Sequence, residues 1–270
     1  MSDRASAFVG SIPTFYDEGL GPVFFAEFAD DIARRVAAAA PARVLELAAG
    51  TGIVTRRLRY LLPAHTEITA TDLNPPMLEV ARGKFRPGEQ IALQPADATA
   101  LPFPDGGFDA VVCQFGLMFF PDKDQAYREA HRALAQGGRY IFSVWDSHRY
   151  NPIGRLINET LGKFFPENPP QFYDVPFSSH RIDPIRDGLS AAGFTELRIA
   201  VLSLDTAIPD VGAYARALVF GNPLVEQIRT RGGVDPERVV AALAEALPRE
   251  FGANPTRMPL QAIVFEARRP

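Results

Sequence analysis

R-V-L-E-L-A-A-G-T-G, residues 43–52, is an apolar run of strand formers that breaks into small residues. Val44, Leu45 and Leu47 favour extended backbone, and Gly50 and Gly52 can take positive φ without a Cβ clash. Ala48 and Ala49 are small enough for a ligand to come close to the chain. An amphipathic segment follows at once, with Val54, Leu58, Leu61 and Leu62 on one side. Strand, small-residue turn and helix in that order predict the opening of a nucleotide-binding α/β sheet, whose sites lie at the carboxyl ends of strands.

Charge around the turn separates two cofactor classes. A dinucleotide needs its pyrophosphate over the helix N-terminus, where backbone N–H groups favour negative charge. Glu46 opposes such an anion, and the third glycine of G-x-G-x-x-G is missing, because Ile53, Val54 and Thr55 follow Gly52. S-adenosylmethionine carries a sulfonium and an ammonium, which a carboxylate beside the turn suits. Asp72 ends the next apolar run about 20 residues on, where such folds hold ribose hydroxyls. One carboxylate can accept from both hydroxyls of a cis-diol. Capping the helix that follows is the plainer use of Asp72, as a tight strand-to-helix turn is of Gly50 and Gly52.

Further motifs follow in order: T-D-L-N-P-P-M-L at 71–78, P-A-D-A at 95–98, F-D-A-V-V at 108–112 and L-A-Q-G-G-R-Y at 134–140. Together with the 43–52 stretch they resemble the class I S-adenosylmethionine-dependent methyltransferases, most of all the branch that includes ubiquinone and menaquinone biosynthesis enzymes. The resemblance covers residues 40–146 closely and the rest loosely. It implies a Rossmann-like, doubly wound seven-stranded sheet, mostly parallel, whose last strand inserts antiparallel. It also implies S-adenosylmethionine as cofactor, S-adenosylhomocysteine as product, and in-line transfer of a methyl group to an O, N or C atom of a small-molecule acceptor.

Carried onto this chain, the resemblance puts Glu46, Ala48, Gly50 and Gly52 around the methionine portion, and Leu73 and Met77 against the adenine. Asp97 falls at the exocyclic amine with Ala98 beside it, and Gln114 falls near the methyl group. Leu73 and Met77 also fit ordinary helix packing, and Asp97 a turn cap. Asn74-Pro75-Pro76-Met77 sits after the second strand and lacks a following aromatic, so it reads as a helix start and not as the tetrad of amide-methylating enzymes.

Strand and helix alternate from 43 to 146, which predicts parallel pairing with right-handed crossovers. Helix 52–62 turns Arg56, Arg57 and Arg59 outward as a solvated face. The expected organisation is a lid loop and helix at 1–42, a cofactor-binding core at 43–146, a cap at 147–182 and the end of the same sheet at 183–270, with a helical insertion near 209–251. Residues 8–22, rich in Gly and aromatics, predict an ordered loop ahead of a helix at 23–40. In the family resembled, such a leading segment folds over the cofactor mouth, so Tyr16 and Phe24 are candidates to line it or else staple the helix to the core. Phe119, Trp145, Tyr150 and Tyr173 are candidate acceptor-facing aromatics, and Phe119 equally fits the core. His148 and His180 in the cap are candidate general bases. His65 and His131 are expected in solvent.

Charge and cysteine content narrow the class. The 270 residues carry a formal net charge of -4 without a Lys/Arg cluster of the kind that tracks phosphates, which argues against a nucleic-acid partner. Cys113 is the only cysteine, so no intrachain disulfide or thiolate metal cluster can form, and no metal site is expected. A cytoplasmic enzyme without a membrane span fits, as monomer or homodimer. Two alternatives stay open: a non-catalytic regulatory protein that binds the same cofactor, and an NAD(P)-dependent oxidoreductase.

Overall fold

A computed structural model describes residues 6–270; residues 1–5 of the expected lid lie outside the described part. Strands β1 (Arg43–Glu46), β2 (Glu67–Asp72), β3 (Ile91–Pro95), β4 (Phe108–Gln114), β5 (Leu134–Trp145), β6 (Thr195–Ala207) and β7 (Arg257–Arg268) form one sheet in the order β3-β2-β1-β4-β5-β7-β6. The first five pair in parallel, and β7 runs antiparallel between β5 and β6. The order reverses at β1, so the mouth between β1 and β4 is the topological switch point.

Successive strand residues serve opposite faces, as the two-residue period demands. Val44, Ala110, Val112 and Ile141 pack under helices α2 (Ala26–Ala38) and α3 (Ile53–Leu61). Leu45, Val111, Cys113, Tyr140 and Phe142 join the larger core on the other side. Helix α4 (Pro75–Arg82) starts at Asn74 with both prolines in its first turn, where a missing N–H costs no intrahelical bond. Helices α5 (Lys123–Ala133) and α7 (Ile182–Ala191) follow β4 and the cap, and α8 (Val211–Phe220), α9 (Leu224–Arg231) and α10 (Pro236–Phe251) intervene between β6 and β7.

Three expectations need correction. Residues 12–25 are helical, a short α1 (Ile12–Phe15) running into a π-helix at Tyr16–Phe25. Packing overrides the Gly and Pro content: a Cβ on Gly19 would lie 2.3 Å from that of Ala217, so only glycine lets this turn meet α8. Arg59 is buried, not solvated, and donates to the carbonyls of Leu62, the cap of α3, at 3.0 Å and of Thr66, just ahead of β2, at 2.7 Å. His131 is half-buried edge-on against Phe194 at 5.1 Å, and burial lowers its pKa. The cap is also more regular than expected, with α6 at Pro152–Phe164 and a 3₁₀ turn at Phe172–Asp174.

Candidate active site

The turn after β1 is held open by left-handed backbone. Ala48, Gly50 and Gly52 have φ of 51°, 57° and 77°. Glycine takes this without strain, but Ala48 does so against its own Cβ, a cost that persists only where surroundings impose it. They do: Ala49 N–H donates to the Thr71 carbonyl at 2.8 Å, and Gly50 N–H donates to Asp72 Oδ2 at 2.9 Å. Asp72 Oδ1 accepts from Asn74 N–H at 2.8 Å, so one carboxylate ties the first turn to the start of α4. Burial pushes its pKa up, and the backbone N–H groups of Asn74, Gly50 and Leu73 pull it back.

Beside this turn lies a cavity of about 510 Å³. Its β1–β3 side is formed by Ala48, Gly50, Asp72, Asp97 and Ala98, with the half-exposed Leu73 and buried Met77 among them. Asp97 Oδ1 accepts from Thr99 N–H at 2.8 Å and from its hydroxyl at 2.7 Å, while Oδ2 takes part in neither bond. Gln114, at the end of β4, donates to the Phe25 carbonyl at 3.3 Å, while its Oε1 is buried without a partner among the described residues.

Glu46 and Gly52 stand apart from that lining. Glu46 is 2% exposed, and its Oε2 accepts from the Thr55 hydroxyl at 2.6 Å. It borders a separate space of about 20 Å³ behind the turn, which Tyr16, Ala48 and Gln114 also reach. Burial pushes its carboxyl up to about 8, the Thr55 hydroxyl pulls it down and Asp72 adds to the rise. Gly52 faces α4: a Cβ there would lie 3.0 Å from that of Ala81, so this glycine serves helix packing.

On the β4–β5 side, Tyr16, Phe24, Phe119, Trp145 and Tyr173 line the cavity. Tyr150 does not: its ring is exposed beneath the Arg149 guanidinium at 5.7 Å. Neither expected histidine is part of the lining; both are engaged with Phe177, which is. His148 packs edge-on against Phe177 at 4.7 Å, and His180 Nδ1 lies 2.8 Å from the Phe177 carbonyl. A base role for either is therefore dropped.

Several lining residues carry little mark in the sequence. Phe115 has φ of 53° and stacks on Trp145 at 3.8 Å, a second strained residue beside Ala48 on the neighbouring strand. Asn222 donates to the Tyr173 hydroxyl at 2.9 Å, and that hydroxyl donates to the Leu218 carbonyl at 2.9 Å. The pairing joins the cap to the helices between β6 and β7, elements too far apart in sequence to be linked by pattern. Among the described residues no group of three His, Cys, Asp or Glu side chains converges to hold a metal, and no helix is long and apolar enough to cross a membrane.

The family model and the curated relatives that match this chain are methyltransferases. Residues 45–142 match the model of a methyltransferase domain. The chain is 34% identical over 191 residues to the demethylmenaquinone methyltransferase of Thermus thermophilus, covering 64% of this chain and 83% of that protein. It is 42% identical over 117 residues to the ubiquinone/menaquinone biosynthesis C-methyltransferase UbiE of Hahella chejuensis, covering 42% of this chain and 47% of that one. The match thus spans less than half of the Hahella protein. Among solved structures, the YcgJ protein from Bacillus subtilis superposes with a TM-score of 0.57 at 20% identity over 90% of this chain and 98% of that chain, a likeness of fold. Neither the oxidoreductase nor the regulatory alternative draws support from these relatives.

Proposed function

Because the chain belongs to the class I S-adenosylmethionine-dependent methyltransferases, in the ubiquinone and menaquinone biosynthesis branch, and so transfers methyl groups from S-adenosylmethionine to a small molecule, we propose that its acceptor is a quinol methylated on a ring carbon. The observation that carries this reading is one continuous cavity with carboxylates along its β2–β3 side and an aromatic wall along its β4–β5 side. The names of the relatives support a quinone-type ring and a carbon atom.

The residues present fit the cofactor. Gln114 Oε1 is a buried acceptor without a partner among the described residues, a costly state that an ammonium donor would relieve. Asp72 Oδ1 accepts from the backbone and the side-chain amide of Asn74, and Oδ2, which accepts from Gly50, keeps a lone pair that would accept from a ribose hydroxyl. Asp97 Oδ2 and Ala98 would meet the adenine amine edge, with Leu73 and Met77 on its faces. Gly50 would let the methionine portion pass, since the nearest atom to a Cβ there is the Met77 methyl at 3.4 Å. Glu46 would act from behind Gln114 and not by direct contact, ionising as a cation arrives.

Bound in this way, S-adenosylmethionine supplies a methyl carbon already made electrophilic by its sulfonium. What the chain contributes is orientation and exclusion of water. Tyr16 and Phe24, from the first helices, would cover the cavity; Phe119, Trp145 and Tyr173 would hold the acceptor ring. On this reading residues 147–182 and the helices between β6 and β7 form the acceptor side.

Two measurements test it. Calorimetry with S-adenosylhomocysteine should show saturable binding at micromolar ligand. Incubation with S-adenosylmethionine and a panel of chemically reduced quinones, phenols and amines should give a C-methylated quinol. Turnover confined to phenol oxygens or amines would overturn the acceptor assignment.

A further inference from the structure

Lys123 carries the only positive charge among the described residues that line the cavity, where the other charged groups are Asp72 and Asp97. Its ammonium donates to the Phe120 carbonyl at 3.2 Å, and no carboxylate among the described residues pairs with it. The other cations of α5 are provided for: Arg128 donates to Gln125 at 3.0 Å, and Arg132 bridges Glu129 and Asp105 at 2.8 Å each. Asp122, its neighbour in sequence, is committed to the Gln125 N–H at 2.8 Å as the helix cap.

Three costs converge on this lysine. It is half-buried, and burial alone lowers its pKa. It occupies the first position of α5, where the helix dipole disfavours a cation. Among the described residues it has no counter-charge, so a partly desolvated ammonium rests on one neutral carbonyl. An anion entering the cavity would relieve all three at once.

Flat rings flank the place where that anion would sit. Phe119 lies nearly parallel to Phe172, with centroids 6.3 Å apart, and Phe8 closes edge-on at 6.0 Å. Phe120, whose carbonyl holds the lysine, belongs to the same lining.

We propose that Lys123 recognises the acceptor's ring oxygen in its anionic form, as the oxyanion of a phenol or quinol. The assignment rests on the quinol reading above and names the group that selects its charged state. The hydroxyl proton leaves to solvent, the ammonium holds the resulting oxyanion by a charge-assisted hydrogen bond, and electron density moves onto the adjacent ring carbon.

The test is binding, independent of turnover. 2-Hydroxy-1,4-naphthoquinone, ionised at neutral pH, and its neutral ether 2-methoxy-1,4-naphthoquinone are titrated into protein saturated with S-adenosylhomocysteine, and quenching of the single tryptophan, Trp145, is followed. The wild type should prefer the anion by roughly tenfold or more, the scale of one charge-assisted bond. Lys123→Met should abolish that preference while leaving the affinity for the ether and the affinity for S-adenosylhomocysteine unchanged and without lowering the urea midpoint. Lys123→Arg should keep most of it.

Equal affinity of the wild type for the two rings, or an unchanged preference in Lys123→Met, overturns the assignment even if quinols are methylated. Loss of both rings together with a lowered midpoint also overturns it, since the lysine is then structural. A lysine-dependent preference without any methylated quinol sinks the quinol reading alone. Failure of both rings to bind the wild type sinks both.

Discussion

Replacing Glu46 by glutamine is expected to make the ligand-free protein more stable at alkaline pH and to leave it unchanged in acid. Glu46 is 2% exposed with the Thr55 hydroxyl as its partner, and burial carries its carboxyl from 4.5 to about 8. Between these values the unfolded chain releases the proton and the native chain retains it. Native stability from this group is therefore fully present below pH 4.5 and is lost as pH rises towards 8. At about 1.4 kcal/mol per pH unit the loss is on the order of 3–5 kcal/mol. Glutamine imitates the neutral carboxyl, and its carbonyl can still accept from Thr55. Urea unfolding followed by Trp145 fluorescence at fixed ionic strength, from pH 4.5 to 8.5, reads the variant against the wild type. The difference cancels opposing contributions from carboxylates held low by arginine, such as Glu89 beside Arg56 and Glu129 beside Arg132. A difference that stays flat across the window, or a variant less stable at pH 8, would refute the reasoning.

Asp72→Asn places an N–H where Gly50 or Asn74 already donates; S-adenosylhomocysteine affinity should fall at least about tenfold and stability by about 1–3 kcal/mol, read by calorimetry and urea midpoints. Unchanged binding would remove Asp72 from the site. Gly116→Ala sets a Cβ 2.5 Å from that of Ala48 and 2.8 Å from the Cys113 sulfur. The expected loss is about 1–3 kcal/mol in urea unfolding, and a midpoint equal to wild type would mean that the two strand ends give way at no cost.

Where a physical requirement is local, the chain declares it. The turn after β1 needs small residues and positive φ, and R-V-L-E-L-A-A-G-T-G supplies them within a few positions. The prolines after Asn74 start α4 where their spacing predicts. Requirements set by distant packing leave no such mark. Gly19 reads as a loop residue until α8 is seen to press on it, and Arg59 reads as a surface charge until it is seen to donate to the carbonyls of Leu62 and Thr66. His148 and His180 share a segment with cavity-lining Phe177 and yet stay out of the lining, because proximity in sequence does not say which side chain points inward. Lys123 looks like any helix-start lysine, and only the absence of a carboxylate partner around it among the described residues sets it apart.

The division of charge in the cavity follows from topology. Strand order reverses at β1, so the loops that follow β1, β2 and β3 gather on one side and those that follow β4 and β5 on the other. Asp72 and Asp97 come from the first group, and Lys123 and Trp145 from the second. On the proposed reading a cation-bearing nucleoside would be drawn to one side and an anionic ring to the other, and the two would meet face to face at the switch point. Opposite charges at the two ends also keep either ligand from settling in the other's half, since each would there meet its own sign in a partly desolvated space. Ala48 and Phe115 hold φ of 51° and 53° where the two central strands end, so the strained backbone and the meeting of the two charge groups fall at the same place.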